Sequence, residues 1–226
     1  MADSTVAFGR PMRDAHFLFD PTYVPLNHGS FGTYPKCVRD RLRTIQDGAE
    51  AKPDTWLRYE FPKQLDESRA SLASFLHVPV SELVLVPNAT TGVNTVLRSL
   101  VFEKDDIILY FSTLYGGCLK TVEYICETTA AEKVAVQIQY PIDDATLLTR
   151  FRDAVVKITE SGKRAKIALF DTISSLPGVC VPWEKLCGIC NELGVLSMVD
   201  GAHGVGQIEV DLQASRPDFF VSNCHK

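Results

Sequence analysis

The stretch VLSMVDGAHGVGQIEVDL, residues 195–212, passes from a strongly apolar, β-branched run into a glycine-flanked polar turn, with Asp200 at the junction. The run 195–199 reads as a buried strand, apolar on both faces. Outward from it, similar short runs recur at 83–86, 107–111, 134–139, 166–170 and 219–221. Between them lie longer stretches with helical spacing at 91–101, 117–128, 144–161 and 183–193, long enough to cross back over a sheet. Strand and helix in alternation predict an α/β fold, a mostly parallel sheet with flanking helices. The first part of the chain differs. Residues 1–80 read as an N-terminal arm with charged helices at 35–51 and 62–76, and residues 81–226 as a large domain. The chain stops at Lys226, directly after the strand 219–221 and a polar turn, which predicts a C-terminally truncated domain.

With 226 residues, 46% hydrophobic and 23% charged, the composition is that of a globular protein and excludes disordered and collagen-like classes. No run approaches ~18 apolar residues, and the opening MADSTVAFGRPMRDAH lacks the basic-then-apolar layout of an export signal. A cytoplasmic location and no membrane association are expected. The 23 basic and 28 acidic side chains give a net charge of -5 without a Lys/Arg-rich run, so no nucleic-acid partner is expected. Seven cysteines in such a chain argue for reduced thiols. Cys187 and Cys190 form a CxxC, but it falls on one face of a helical stretch and no second ligand pair accompanies it. They read as small buried hydrophobes, and no metal site is expected.

Several polar residues sit where strands end. Asp200, at the tip of its strand, occupies the edge at which open α/β sheets present ligand-binding groups. A carboxylate there suits a protonated ring nitrogen, or it caps the next turn. His203 donates to an anionic oxygen or is an ordinary loop histidine. In VPNATTGVNTVLRSL a strand, a small polar turn and a helix start follow one another, and Thr90 and Thr91 with the first-turn N–H groups would cradle a phosphate; an ordinary N-cap explains the same residues. Neither a Walker lysine nor GxGxxG is present, so a nucleotide enzyme is not supported. Tyr115, in STLYGGCLK, precedes a helix at the same edge and offers a ring to stack on a planar ligand. His225 and Lys226 follow the last strand, and a desolvated lysine amine forms an imine with an aldehyde. Phosphate donors, a stacking ring, a carboxylate for a ring nitrogen and an imine-forming lysine are together the complement of pyridoxal 5'-phosphate.

These motifs resemble the class V aminotransferase family of pyridoxal-phosphate enzymes, which includes cysteine desulfurases, C–S lyases and isopenicillin-N-epimerase-like proteins. The resemblance runs through LNHGSFGTYP, RYEFPKQLDESR, PNATTGVNTVLR, YGGCLKTVEY, DTISSLPGV, VDGAHGVGQIEVDL and PDFFVSNCHK. LNHGSFG and SNCHK look closest to its fungal branches, the hercynylcysteine sulfoxide lyases of ergothioneine biosynthesis and the desulfurase-like proteins of the loline pathway. It implies the large domain of the fold type I PLP-dependent transferases, with the small C-terminal domain and its substrate-carboxylate arginine absent. By the same resemblance Lys226 forms the imine, Asp200 holds the ring nitrogen protonated, His203 approaches O3' and Tyr115 stacks, where desulfurases usually carry His. Thr90, Thr91, Asn223 and His225 would surround the phosphate, with Ser222 an alternative to Asn223. Ser174 and Ser175 fall where relatives contact O3' or substrate, and Asn27 and His28 line the substrate entrance. The implied activity is β-elimination from a cysteine-derived S-conjugate or sulfoxide, a small amino-acid substrate, by a homodimer. Transamination, epimerisation and desulfuration start from the same carbanion, and an inactive fragment is the remaining alternative.

Overall fold

The computed structural model describes residues 6–226; residues 1–5, the start of the stretch expected to lack an export signal, lie outside the described residues. Contacts group the chain into two units, one of residues up to Leu72 with His225–Lys226, the other Ala73–Cys224, and each is described by itself.

The first unit is helical: α1 (Arg10–His16), α2 (His28–Phe31), α3 (Lys36–Ala51), α4 (Pro53–Thr55), a π-helical turn Trp56–Glu60 and most of α5 (Phe61–Phe75). The break expected at 52–55 is where Pro53 starts the one-turn α4, proline being tolerated at a helix's first position. The Arg13 guanidinium donates to the carbonyls of Asp20 and Tyr23 at 2.5 and 2.8 Å, pinning the turn between α1 and α2.

The second unit is a three-layer α/β sandwich. Its elements are α6 (Ala89–Ser99), β1 (Asp106–Phe111), α7 (Gly116–Thr128), β2 (Glu132–Val136), α8 (Asp144–Glu160), β3 (Arg164–Asp171), α9 (Trp183–Leu193), β4 (Leu196–Asp200), α10 (Leu212–Ser215) and β5 (Phe219–Val221). All five strands are parallel, in the order β2-β1-β3-β4-β5. Alternate side chains sort onto two faces. Leu109, Phe170 and Val199 pack with α8 and α9, whereas Ile108, Leu169 and Met198 pack with α6 and α7.

Helix limits follow local chemistry. The Asp143 carboxylate caps α8 by accepting the Thr146 N–H at 2.9 Å, and Leu147, Phe151, Val155 and Ile158 then recur on its buried stripe. Phe151 inserts between Phe111 and Phe170, with ring centroids 5.9 and 6.1 Å away. The helix expected at 183–193 matches α9, because Gly194, at φ 68°, ends it in the left-handed region that glycine enters without a Cβ penalty.

One expected strand is absent. Residues 83–86 run extended outside the sheet, with Val84, Leu85 and Val86 exposed. The β-branched composition that suggested a strand measures fit to a pleated, half-buried surface, and the sheet order among the described residues does not include this segment. At the start of the strands, buried Asp106 accepts from the Glu103 N–H at 2.8 Å and pairs with Arg164 at 2.7 Å and Lys166 at 2.9 Å. Burial works against its charge, but the Glu103 N–H, Lys166 and Arg164 together hold the carboxyl below its usual range.

Candidate functional site

The C-terminal ends of the parallel strands gather the polar residues of the second unit. β4 delivers Asp200 to this edge with 7% exposure. Strand alternation puts its side chain on the α6 and α7 face: Val199 belongs to the opposite cluster, and Cys118 of α7 reaches the carboxylate, Sγ lying 3.4 Å from Oδ2. The other oxygen, Oδ1, accepts the Ala202 N–H at 2.9 Å. Asp200 therefore does cap the next turn, and with one oxygen only.

That turn is held close to β5. The Gly201 N–H donates to the Val221 carbonyl at 2.7 Å, and the Ser222 hydroxyl donates to the Gly201 carbonyl at 2.6 Å. A Cβ on Gly201 would stand 2.2 Å from the Phe220 ring, so only glycine fits this approach. His203 lies half-buried in the same turn.

α6 begins at the neighbouring position. The Asn88 side chain caps it, accepting the Thr91 N–H at 2.8 Å and the Thr91 hydroxyl at 3.1 Å. The Ala89 N–H donates to Asn223 Oδ1 at 3.0 Å, a buried link across the sheet edge. Of the residues expected to cradle a phosphate, Thr91 thus gives its N–H and hydroxyl to Asn88, and Asn223 gives its Oδ1, but not its amide N–H2, to Ala89. Thr90 keeps its hydroxyl and N–H without a partner among the described residues. Gly92 lets α6 approach β5: a Cβ there would sit 2.8 Å from Val221 Cγ1.

Tyr115 precedes α7 and is 48% exposed. Its ring lies across Gly117, where a Cβ would stand 2.8 Å from Cε1, so the glycine leaves the aromatic its place over the helix start. Ser174 is buried, and its hydroxyl donates to the Pro177 carbonyl at 2.6 Å, closing a turn. Ser175, beside it, is half-buried. The structure therefore groups Asp200, His203, Ser222, Asn223, Thr90, Thr91, Tyr115, Ser174 and Ser175 within one unit.

Four candidates fall in the other unit. His225 and Lys226 do so, although the chain places Lys226 three residues beyond Asn223. Asn27 caps α2 by accepting the Ser30 N–H at 3.2 Å, and His28 sits edge-on to Phe17 and Phe19 at 5.8 and 6.0 Å.

Two residues of the edge escaped the sequence reading. Asp171 ends β3 in register with Asp200 and is 4% exposed. Burial first, then the charge of Asp200, pushes its carboxyl well above the usual range. Cys118 is the other. FDTIS carries an acid at the end of an apolar strand just as VDGAH does, a signal open to the same reasoning; no sequence pattern singles out Cys118.

The CxxC pair is buried in α9. Burial pushes Cys187 up to about 12, and Cys190 is raised likewise. Among the described residues no group of His, Cys, Asp or Glu is arranged to hold a metal ion, and no helix is long and apolar enough to cross a membrane.

Comparison with known proteins agrees with this architecture. The L-cysteine desulfhydrase-like protein lolT1 of Epichloe uncinata is 40% identical over 98% of this chain and 48% of its own length. The hercynylcysteine sulfoxide lyase of Schizosaccharomyces pombe is 30% identical over 100% of this chain and 56% of its own. The chain spans about half the length of the curated relatives it matches. Among solved structures, the cystine C–S lyase C-DES in complex with cysteine persulfide superposes with a TM-score of 0.78 at 19% identity, covering 88% of this chain and 52% of that one, and it shares the fold. Residues 35–226 match the aminotransferase class-V family as one continuous segment, from the residue before α3 to the last lysine; the chain belongs to that family.

Proposed function

We propose that the protein is a pyridoxal 5'-phosphate-dependent C–S lyase that acts on a cysteine-derived S-conjugate or sulfoxide, such as hercynylcysteine sulfoxide. The observation that carries this reading is the buried Asp200 carboxylate, with Oδ2 met by a thiol and Oδ1 by a single backbone N–H, in a class-V chain whose relatives are named for cleaving C–S bonds. These two donors orient the buried carboxylate without neutralising its charge, which suits a cationic partner, and the pyridinium N–H is one.

The residues present fit the cofactor. Asp200 would hold the ring nitrogen, Tyr115 would lie against the ring, and His203 and Ser175 would face O3'. Thr90, with its hydroxyl and N–H at the α6 start, would take the phosphate, helped by the positive end of the helix dipole. Asn223, through its amide N–H2, and His225 would complete that cradle, with Thr91 available there only by giving up its Asn88 cap. Asn223 acts there by fixing the Ala89 N–H, and Ser174 by shaping the turn before Val179. When bound, the group supplies an electron sink for negative charge at the substrate Cα. Lys226 provides the amine that anchors it and the base that takes the Cα proton, while Asn27 and His28 border the substrate. Residues 81–226 are the cofactor-binding part in this reading. The protein is taken as a cytoplasmic homodimer of fungal type, with ergothioneine biosynthesis as the setting for the hercynylcysteine substrate.

Borohydride reduction in the presence of pyridoxal 5'-phosphate, followed by peptide mapping, should label Lys226. With a cysteine S-conjugate sulfoxide, the Cα proton is lost and the Cβ–S bond breaks with its electron pair on sulfur. The three-carbon remainder takes up water to give pyruvate and ammonium. Keto-acid formation only from an added amino donor, or no label at Lys226, refutes the lyase reading.

A further inference from the structure

Asp171 is a buried acid to which the chemistry above gives no task. It and Asp200 are Cα partners on adjacent parallel strands, on the same face, with 4% and 7% exposure. Neighbouring strands lie ~4.8 Å apart, so the two carboxyl groups share one small, poorly solvated space. Like charges so placed do not both ionise.

Which of them keeps the charge follows from the donors. Asp200 accepts the Ala202 N–H at 2.9 Å on Oδ1 and faces the Cys118 thiol at 3.4 Å on Oδ2. Asp171 has no hydrogen bond among the causes acting on it; burial and the charge of Asp200 raise it together. The Tyr140 phenol, in the segment after β2 and near enough to feel the charge of Asp171, is itself pushed up, first by burial, so it stays neutral and adds no charge. Donors stabilise the ionised form of one acid, and their lack leaves the other protonated.

We propose that Asp171 is a positioning residue: a neutral carboxylic acid, one strand over from Asp200 and in register with it, that limits the sheet edge to one negative charge and assigns that charge to Asp200. The proposal rests on the reading of Asp200 as the partner of a cationic ring nitrogen. One negative charge then meets one positive charge in a space that would penalise any surplus. The thiol and the Ala202 N–H fix which way the carboxylate faces.

Two measurements test it. Infrared difference spectra of the cofactor-free protein at neutral pH, wild type minus Asp171→Asn, should contain the carbonyl band of a protonated carboxyl, absent from the wild type minus Asp106→Asn pair. A difference holding only ionised-carboxylate bands overturns the proposal. Should Asp171→Asn fail to fold, Asp200→Asn serves instead: with the repelling charge gone, the band should disappear at lower pH than in wild type, and an unmoved band overturns the proposal. In the second measurement the protein is loaded with pyridoxal 5'-phosphate and its absorbance followed against pH. Asp171→Asn, isosteric with the neutral acid, should move the midpoint by less than about threefold in proton concentration, and Asp200→Asn by about tenfold or more. Equal shifts in both variants overturn the proposal. If the infrared band is present but Asp200→Asn leaves the midpoint unmoved, the positioning role also falls, and the failure then lies in the reading of Asp200.

Discussion

Asn223→Ala removes a single hydrogen bond that joins residues 134 positions apart in the sequence. Asn223 and Ala89 are 8% and 4% exposed, so water cannot replace the lost acceptor, and the Ala89 N–H is left buried and unpaired. A stranded buried donor costs about 1–3 kcal/mol. In a chain of this size each kcal/mol lowers the melting temperature by roughly 2–4 °C, so a fall of about 2–12 °C is expected. Asn223→Asp separates the two roles of the position. It keeps the acceptor for the Ala89 N–H and adds a negative charge at a helix N-terminus, where the dipole offsets about 0.3–1 kcal/mol of the cost of burying it. The same charge repels a bound phosphate, and pyridoxal 5'-phosphate should bind more weakly to this variant than to wild type. Calorimetry with and without cofactor reads both effects. Equal melting temperatures for wild type and Asn223→Ala would show that the link carries no stability and refute the reasoning.

Two further outcomes are expected. Because Asp106 is held below the ordinary Asp value of about 3.9, its contribution is complete above that value and is lost as pH falls through the depressed folded value. Asp106→Asn should therefore be less stable than wild type by about 1.5–3 kcal/mol at neutral pH, the scale of charge-assisted hydrogen bonds to partly exposed cations, and urea titrations repeated toward pH ~3 should show the gap narrowing. A gap that widens in acid would contradict the assignment. In native protein a thiol reagent should modify the exposed Cys37, Cys180 and Cys224, while buried Cys118, Cys187 and Cys190 react only after unfolding. Native labelling of Cys187 or Cys190, read by peptide mass, would refute their description as inert core residues.

The elements legible in the sequence were those bounded by local chemistry. α9 is bracketed by Pro182 and Gly194, and α8 by the Asp143 cap and its repeating apolar stripe. The tip position of Asp200 followed from the end of an apolar run. What stayed hidden depends on neighbours distant in sequence. Residues 83–86 have strand composition but lie outside the sheet among the described residues. Thr91 has the right chemistry for a phosphate, yet Asn88 takes its N–H and hydroxyl, and Asn223 lends its Oδ1 to the Ala89 N–H. The weight of Asp171 and Cys118 arises only when strand order sets β3 against β4 and α7 lies under that edge. A one-dimensional pattern carries caps and periodicity well, and strand order poorly.

The sheet also keeps its two electrostatic centres far apart. β3 carries Arg164 at one end and Asp171 at the other, a span of about 23 Å at roughly 3.3 Å per residue. Two unit charges so separated interact by about 0.7 kcal/mol at an effective dielectric of about 20, half a pH unit before any counterions intervene. With a Debye length of about 8 Å in physiological salt, little of even that remains through solvent. The charge cluster that tethers the start of the sheet therefore leaves the field at its tip almost untouched, and selection can alter one without disturbing the other.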